Sequence, residues 1–585
     1  MRVRADFSSQ RRKTTSDSAL HDLHELVLRL QSYGSDIAVI EKTGEQKIFH
    51  TAEKLSCDVE ALATQLHSRG LCNCNIALLG ENSYRWIVCF LAIACGVGTA
   101  VLLDKELTDA ELDAQLLKSD SAALFCTSTF YETAVRNKKE NPHLQDVFLI
   151  DDKDCEFPDF SQLLTSGKKL LSKGDRSFAQ LQCLSQTPAV LIFTSGTTGP
   201  NKGVLLTQKN LVSNINTIAQ NVSAKESTIS VLPMNHIYEL NCNILPMLYM
   251  QTVICINDRM RNLMHNLRFF QPQMAVVVPL FLESFYNHIC QKLRKDGLDV
   301  KYERKIALSN SLLEKGIDIR RTLFRRVHEY FGNELSLLIC GGAPVDAKYV
   351  KGLTELGFDI FVGYGLTEAS PIAALNKETR THPDSVGKPF PNVSLHIHAP
   401  DPDGEGEVWL RGDNITPGYY NDITATNESF EDGWFKTGDY GKMLSDGYLQ
   451  LTGRKKDLII LNNGKNVHPE ELESVIRAQL PYVLEVVVME TEKMIFGVCQ
   501  KIIAAVLYVD TDLFDGMTAE QIRQKAKCDM QNVNAKLPGY KTVSHVLIAE
   551  ESFQKTSTNK ILRRKVKERY CDCSQGDQSP QEGRA

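Results

Sequence analysis

The stretch AVLIFTSGTTGPNKGV, Ala189 to Val204, sets an unbroken apolar run against a loop of hydroxyl residues, glycines and one lysine. The run Ala189–Phe193 is apolar at every position and too short for a helix, the pattern of a strand buried on both faces of a parallel sheet. Thr194, Ser195, Gly196, Thr197, Thr198 and Gly199 follow without interruption. Glycines let successive backbone N–H groups turn toward an oxyanion, and the hydroxyls add further donors. Lys202 supplies a mobile positive charge. A helix is expected near Thr207, so the segment reads as strand, loop, helix, and by composition alone the loop is either a plain turn or a phosphate cradle. It is not a Walker loop, because G-x-x-x-x-G-K-[ST] fits nowhere in the chain.

Outward from this loop, short apolar runs alternate with helix-length amphipathic segments. The runs are NIALL (75–79), AALFCT (122–127), VFLID (147–151), MAVVVP (274–279) and LSLLICGG (335–342). They predict parallel strands with crossover helices. Residues 404–446 carry EVWLRG, a Tyr-Tyr pair and Gly/Asn/Asp turn signals, and read as antiparallel strands and loops. After LTGRKKD (451–457) a smaller α+β pattern begins. LIIL, LEVVVMET and KIIAAVLYV are strands, and PEELESVIRAQL and AEQIRQKAKCDMQNVNAKL are helices. The expected fold class is therefore α/β: a large N-terminal domain of parallel and mixed sheets layered with helices, with a β-barrel-like part, and a small mobile C-terminal α+β domain. The expected boundaries are 1–20 for a disordered tail, 21–452 for the large domain, 453–570 for the small one, and 571–585 for a second disordered tail.

The chain has 585 residues, 43% of them apolar and 24% charged, with a net charge of −6. This balance is globular and lacks the concentrated basic face that nucleic-acid binding needs. The 16 cysteines follow no repeating spacing and form no C-x-x-C zinc pattern, which predicts free thiols in a reducing cytoplasm. The N-terminus is basic and polar, without the apolar core of a signal peptide. Residues 86–103, WIVCFLAIACGVGTAVLL, carry no charge and have the minimum length for a membrane span. Gly96 and Gly98 punctuate them, so a buried helix, a turn and a buried strand are expected in place of a span. Peripheral membrane contact stays open.

Partners for the phosphate loop follow in order. GGAP begins at Gly341, Gly342 and Ala343 after a buried strand, where small residues would let a flat ring approach the backbone. In GYGLTEAS, Gly363, Tyr364 and Gly365 precede Thr367 and Glu368. The tyrosine offers a π-face, the threonine a hydroxyl for phosphate and the glutamate a hard oxygen ligand for Mg2+. In TGD, Asp439 can accept both hydroxyls of a ribose. GRKKD contributes Arg454 and Lys456, and QKTSTNKILRR contributes Lys560.

With these motifs the chain resembles the acyl-adenylate-forming superfamily, and most of all its bacterial-type long-chain fatty acyl-CoA synthetases, from about residue 35 to about residue 568. The resemblance implies that Thr194–Lys202 holds the β- and γ-phosphates of ATP and that Thr194 and Glu368 serve Mg2+. It further implies that Gly341–Ala343 and Gly363–Gly365 form the adenine pocket. Asp439 and Arg454 would reach the ribose, Lys456 would mark the hinge, and Lys560 would be the catalytic lysine brought in by the small domain. That lysine motif departs from the family pattern: Gln554 replaces the usual proline, and Thr558-Asn559 replaces serine-glycine. GKNVHPEELE (464–473) resembles the segment used when the small domain turns for thiol attack. LPMNHIYEL (232–240) resembles the loop whose His236 borders the acyl site. Asn235 stands where amino-acid-activating members carry an aspartate nearby. QPQMAVVVPLFLESFYNHI (271–289) and the charged stretch to Phe331 resemble long-chain members and imply a medium- or long-chain fatty acid.

The implied reaction activates a carboxylic acid with ATP and Mg2+ through acyl-AMP, then transfers it to a thiol. No carrier domain follows Lys560 in this sequence, so CoA is the first acceptor and an acyl carrier protein the second. Two rivals are a non-catalytic acyl or nucleotide sensor, suggested by the altered lysine motif, and a membrane-anchored ligase.

Overall fold

The computed structural model describes residues 19–181, 183–194, 201–461, 466–495, 498–514, 516–555 and 561–570. Ser195, Gly196, Thr197, Thr198 and Gly199, together with Gly464 and Lys560, lie outside the described residues. The described chain forms two compact units. One comprises residues 19–194, 201–395 and 410–435, and the other residues 396–409 and 436–570.

Two sheets organise the first unit. At the centre of a nine-stranded sheet, Val253–Ile256, Ser227–Ser230, Met274–Val277, Leu337–Cys340 and Asp359–Gly365 run parallel in that spatial order. Every residue of Val253–Ile256, Met274–Val277 and Leu337–Cys340 is buried. This is why these strands read as continuous apolar runs: helices cover both faces, and no position is left for a polar side chain. Ile372–Asn376 returns antiparallel beside Asp359–Gly365.

The second sheet places Asp146–Leu149, Ala123–Cys126, Cys74–Leu79, Gly98–Leu102 and Pro188–Thr194 side by side and parallel. The run 86–103 divides as expected, into a helix at Tyr84–Ala94 and the strand Gly98–Leu102. In that helix only Arg85 escapes burial. Among the described residues no helix is long and apolar enough to cross a membrane.

One element departs from the sequence reading. The phosphate loop does not lead straight into a helix: Lys202–Thr207 is a strand, antiparallel to Pro188–Thr194, with Thr194 opposite Lys202. KGVLLT has no period-2 alternation because four of its six positions are buried, so it lacked the signal of a half-exposed strand. The expected helix then occupies Gln208–Asn221, with Thr207 and Asn210 forming a reciprocal capping box.

In the second unit, Asp439 to Met443 pair antiparallel with Leu449–Arg454. Beyond them, Val483–Ile495 pairs antiparallel with Val498–Val509, which runs parallel to Val543–Ile548. The helices Pro469–Gln479 and Ala519–Asn534 cover this sheet through Leu472, Ile476, Ala526 and Met530. LIIL is a strand of only two residues, Ile459–Ile460.

Candidate active site

The chemistry-bearing motifs of the first unit gather at the carboxyl ends of its parallel strands, where ligands of open α/β sheets bind. Thr194 ends one strand, Asp104 follows another, Gly341 follows Leu337–Cys340, and Gly365 ends Asp359–Gly365.

Thr194 and Lys202, which flank the Ser/Thr/Gly sequence, are fixed by the hairpin. Thr194 Oγ1 lies 3.5 Å from the carbonyl oxygen of Lys202. The Lys202 ammonium sits over the ring of Tyr419, 4.8 Å from its centroid. Tyr419 also donates its hydroxyl to Glu368 Oε1 at 3.0 Å. One phenol therefore touches both the lysine of the phosphate loop and the carboxylate of GYGLTEAS. Burial, and next the charge of Glu368, push the Tyr419 phenol well above its ordinary pKa, so it remains a donor at physiological pH.

The Tyr419 backbone belongs to a strap, residues 413–421, stitched to the elements around it. Gly418 and Tyr419 pair antiparallel with Leu205 and Val204. Asn210 donates to the carbonyls of Asp413 and Ile415 at 2.9 and 2.8 Å, so the residue that caps the helix also anchors the strap. The Thr416 N–H donates to the Glu368 carbonyl at 2.8 Å. Tyr420 donates to Asp120 at 3.0 Å.

The glycines of the two pocket motifs serve close approach. A Cβ on Gly365 would lie 1.8 Å from the Pro371 carbonyl oxygen, and a Cβ on Gly341 3.0 Å from the Tyr238 hydroxyl. Tyr238 is half-buried and donates to the Ile339 carbonyl at 3.1 Å. Thr367 and Glu368 lie in the short turn Thr367–Ala369, after the strand that holds Tyr364. Tyr364 is only 7% exposed.

His236 precedes the short helix Ile237–Glu239, and its Nε2 lies 3.7 Å from Asp104 Oδ2. Both side chains are partly exposed. Three residues on, Glu239 is fully buried, accepts from Asn243 at 2.9 Å, and has its pKa raised by burial to about 8. The helix continues as a π-turn, Leu240–Ile244.

In the second unit, Asp439 and Arg454 face each other across paired strands and form an ion pair at 2.7 Å. Burial, and next the charge of Arg454, hold the Lys456 ammonium below its usual pKa. Lys555 pairs with Glu485 at 2.6 Å and forms an antiparallel bridge with Ile561. Glu473, in the segment 464–473, is buried against Arg563, and burial lifts its carboxyl pKa to about 7.

Thus Lys202, Glu368 and the Gly341 and Gly365 turns gather in one unit, while Asp439 and Arg454 pair in the other. Sequence reasoning missed Tyr419, Asp104 and Glu239. The Tyr-Tyr pair was visible, but nothing local marks it as the partner of a glutamate 51 residues away. Among the described residues no group of three or more His, Cys, Asp or Glu side chains could hold a metal by itself. A lone Glu368 carboxylate fits Mg2+ that arrives with nucleotide, because this ion takes one or two carboxylates and fills its shell with phosphate oxygens and water.

Comparison with known proteins identifies the family. Residues 28–420 match the AMP-binding enzyme model, and residues 456–573 match the AMP-binding enzyme C-terminal domain. The long-chain-fatty-acid–CoA ligase FadD15 of Mycobacterium bovis is 30% identical over 487 residues, covering 80% of this chain and 78% of that protein. Human long-chain-fatty-acid–CoA ligase 1 is 31% identical over 50% of this chain and 45% of its own length. The fold matches O-succinylbenzoate coenzyme A synthetase from Bacillus subtilis, solved with ATP and a magnesium ion. The TM-score is 0.70 at 22% identity, over 93% of this chain and 99% of that one. On the extent of the family match and the FadD15 similarity, the chain belongs to the AMP-binding enzyme family.

Proposed function

We propose that the chain is an AMP-forming acid–thiol ligase for a long-chain fatty acid. The carboxylate attacks the α-phosphate of ATP, forming acyl-adenylate and releasing pyrophosphate. The thiol of CoA then attacks the acyl carbonyl, and AMP leaves. The observation that carries the reading is that one phenol, Tyr419, meets Lys202 through its ring and Glu368 through its hydroxyl, which supports pairing a phosphate-binding charge with a metal-binding carboxylate. Family membership and the long-chain ligases among the relatives support the reaction class and the acyl substrate.

In this reading Lys202 and the loop from Thr194 to Gly199 bind the β- and γ-phosphates. Glu368, with Thr194, serves Mg2+, which when bound offsets phosphate charge, and Thr367 offers its hydroxyl to phosphate. The Gly341–Ala343 and Gly363–Gly365 turns admit the adenine edge beside Tyr364, and Asp439 and Arg454 take the ribose. Residues 453–570 act as a lid hinged at Lys456. The lid delivers Lys560 to the charge that develops on the α-phosphate and carboxylate, so catalysis rests on positioning and electrostatics. His236 borders the acyl carboxylate. The free thiols among the described cysteines support a cytoplasmic location.

The test is a series of carboxylic acids of increasing chain length, assayed for AMP release with CoA and with acyl carrier protein. Activity that peaks with long chains and requires CoA supports the reading. Absence of AMP release with every acid contradicts it, and preference for the carrier protein reassigns the acceptor.

A further inference from the structure

Glu368 needs a defined orientation, since the terminal torsion of a glutamate is broad and roughly two-fold. Lys202 needs a defined location, since its stem has four rotatable carbons and its ammonium no directional preference. GYGLTEAS sets the Glu368 backbone and the hairpin sets the Lys202 backbone, and both side chains reach the strap at Tyr419.

We propose that Tyr419 is a positioning residue for nucleotide and metal binding: its hydroxyl sets the Glu368 carboxylate, and its ring face parks the Lys202 ammonium. This deepens the function proposed above and rests on it for the role of Glu368. Three backbone attachments make the placement rigid. Tyr419 pairs with Val204, two residues along the same strand from Lys202. The Tyr419 N–H donates to Thr426 Oγ1 at 2.9 Å. Thr416, three residues earlier, holds the Glu368 carbonyl at 2.8 Å. The hydroxyl-to-carboxylate distance of 3.0 Å is thus defined from both ends of the contact.

The two contacts differ in chemistry. The hydrogen bond needs the hydroxyl and is charge-assisted. The cation–π contact needs only the ring. Tyr419→Phe removes the first and keeps the second, whereas Tyr419→Leu removes both. Free phenols donate at all pH values below their pKa, and the raised pKa of Tyr419 keeps this donor through the alkaline range.

The experiment is calorimetric ATP binding by the full chain, with Mg2+ titrated from EDTA to saturation, for the wild type and both variants. Tyr419→Phe should bind ATP in EDTA as the wild type does, yet need about tenfold more Mg2+ to reach the same final affinity. Tyr419→Leu should also lose affinity in EDTA, about threefold to tenfold. A wild-type Mg2+ requirement in Tyr419→Phe overturns the proposal, and so does an equal loss with and without Mg2+, which marks general damage. Because the assay reads ATP binding and not turnover, failure of the ligase reading leaves a different signature: normal ATP binding by the wild type without any acyl-adenylate.

Discussion

Arg454 donates from Nε to Asp439 Oδ1 at 2.7 Å across a strand pair that sets the two residues directly opposite. The aspartate is buried, with a side chain 6% exposed, while the arginine is 41% exposed. A charge-assisted contact to a shielded carboxylate restrains its orientation. In the function proposed above, this carboxylate accepts the ribose hydroxyls. Asp439→Asn should raise the KM for ATP about tenfold with the KM for the acid little changed. Arg454→Lys should reproduce part of this, because a lysine cannot match the fork of a guanidinium. Steady-state kinetics with each substrate varied in turn checks both outcomes, and an unchanged KM for ATP in both variants would remove the ribose assignment.

The 3.7 Å approach of Asp104 to His236 places a carboxylate behind the histidine of LPMNHIYEL. At this distance the carboxylate acts on the imidazole through space, since 3.7 Å is too long for a hydrogen bond. Asp104→Asn and His236→Ala should each raise the KM for the fatty acid about threefold to tenfold and leave the KM for ATP near its original value. If ATP and acid suffer alike, the pair belongs to the general architecture.

Glu239 carries a pH signature. Its carboxyl pKa stands at about 8 in the folded chain against an ordinary 4.5, so the folded state binds more protons than the unfolded state between those values. Stability therefore falls as pH rises from about 4.5 to about 8. Glu239→Gln keeps the shape without the buried charge and should flatten this fall. The gain in Tm over wild type should be larger at pH 8 than at pH 6, by a few degrees. Parallel melting curves for the two proteins at both pH values contradict the assignment.

Gly365 and Gly363 share a motif and should differ on substitution. A Cβ at Gly365 meets the Pro371 carbonyl at 1.8 Å, whereas one at Gly363 finds nothing nearer than 3.7 Å. Gly365→Ala must displace the turn that carries Glu368, lowering both stability and ATP affinity. Gly363→Ala should change Tm by no more than about one or two degrees. Thermal melting with and without ATP separates the two.

The legible parts of the sequence were those where chemistry is local. Leu337–Cys340 and Met274–Val277 announced themselves because a strand buried on both faces admits only apolar residues. The helix and strand of 86–103 were legible because two glycines break an otherwise membrane-like run. The strand Lys202–Thr207 was not, since it has no alternation and follows directly on the loop. Tyr419 was hidden for a different reason. Its partners, Lys202 and Glu368, lie far away in sequence and meet it only because the strap 413–421 pairs with Lys202–Thr207. Asp439 and Arg454 could be named from their motifs, but their register across paired strands is a property of the sheet.

The claim on which the account turns is that this chain makes an acyl-adenylate using Lys560. Fatty-acid-dependent exchange of labelled pyrophosphate into ATP measures that step alone, without CoA. The account predicts exchange with a long-chain acid in the wild type and a loss of about a hundredfold or more in Lys560→Ala, with ATP binding retained. Exchange that is absent in the wild type, or undiminished in Lys560→Ala, would contradict it.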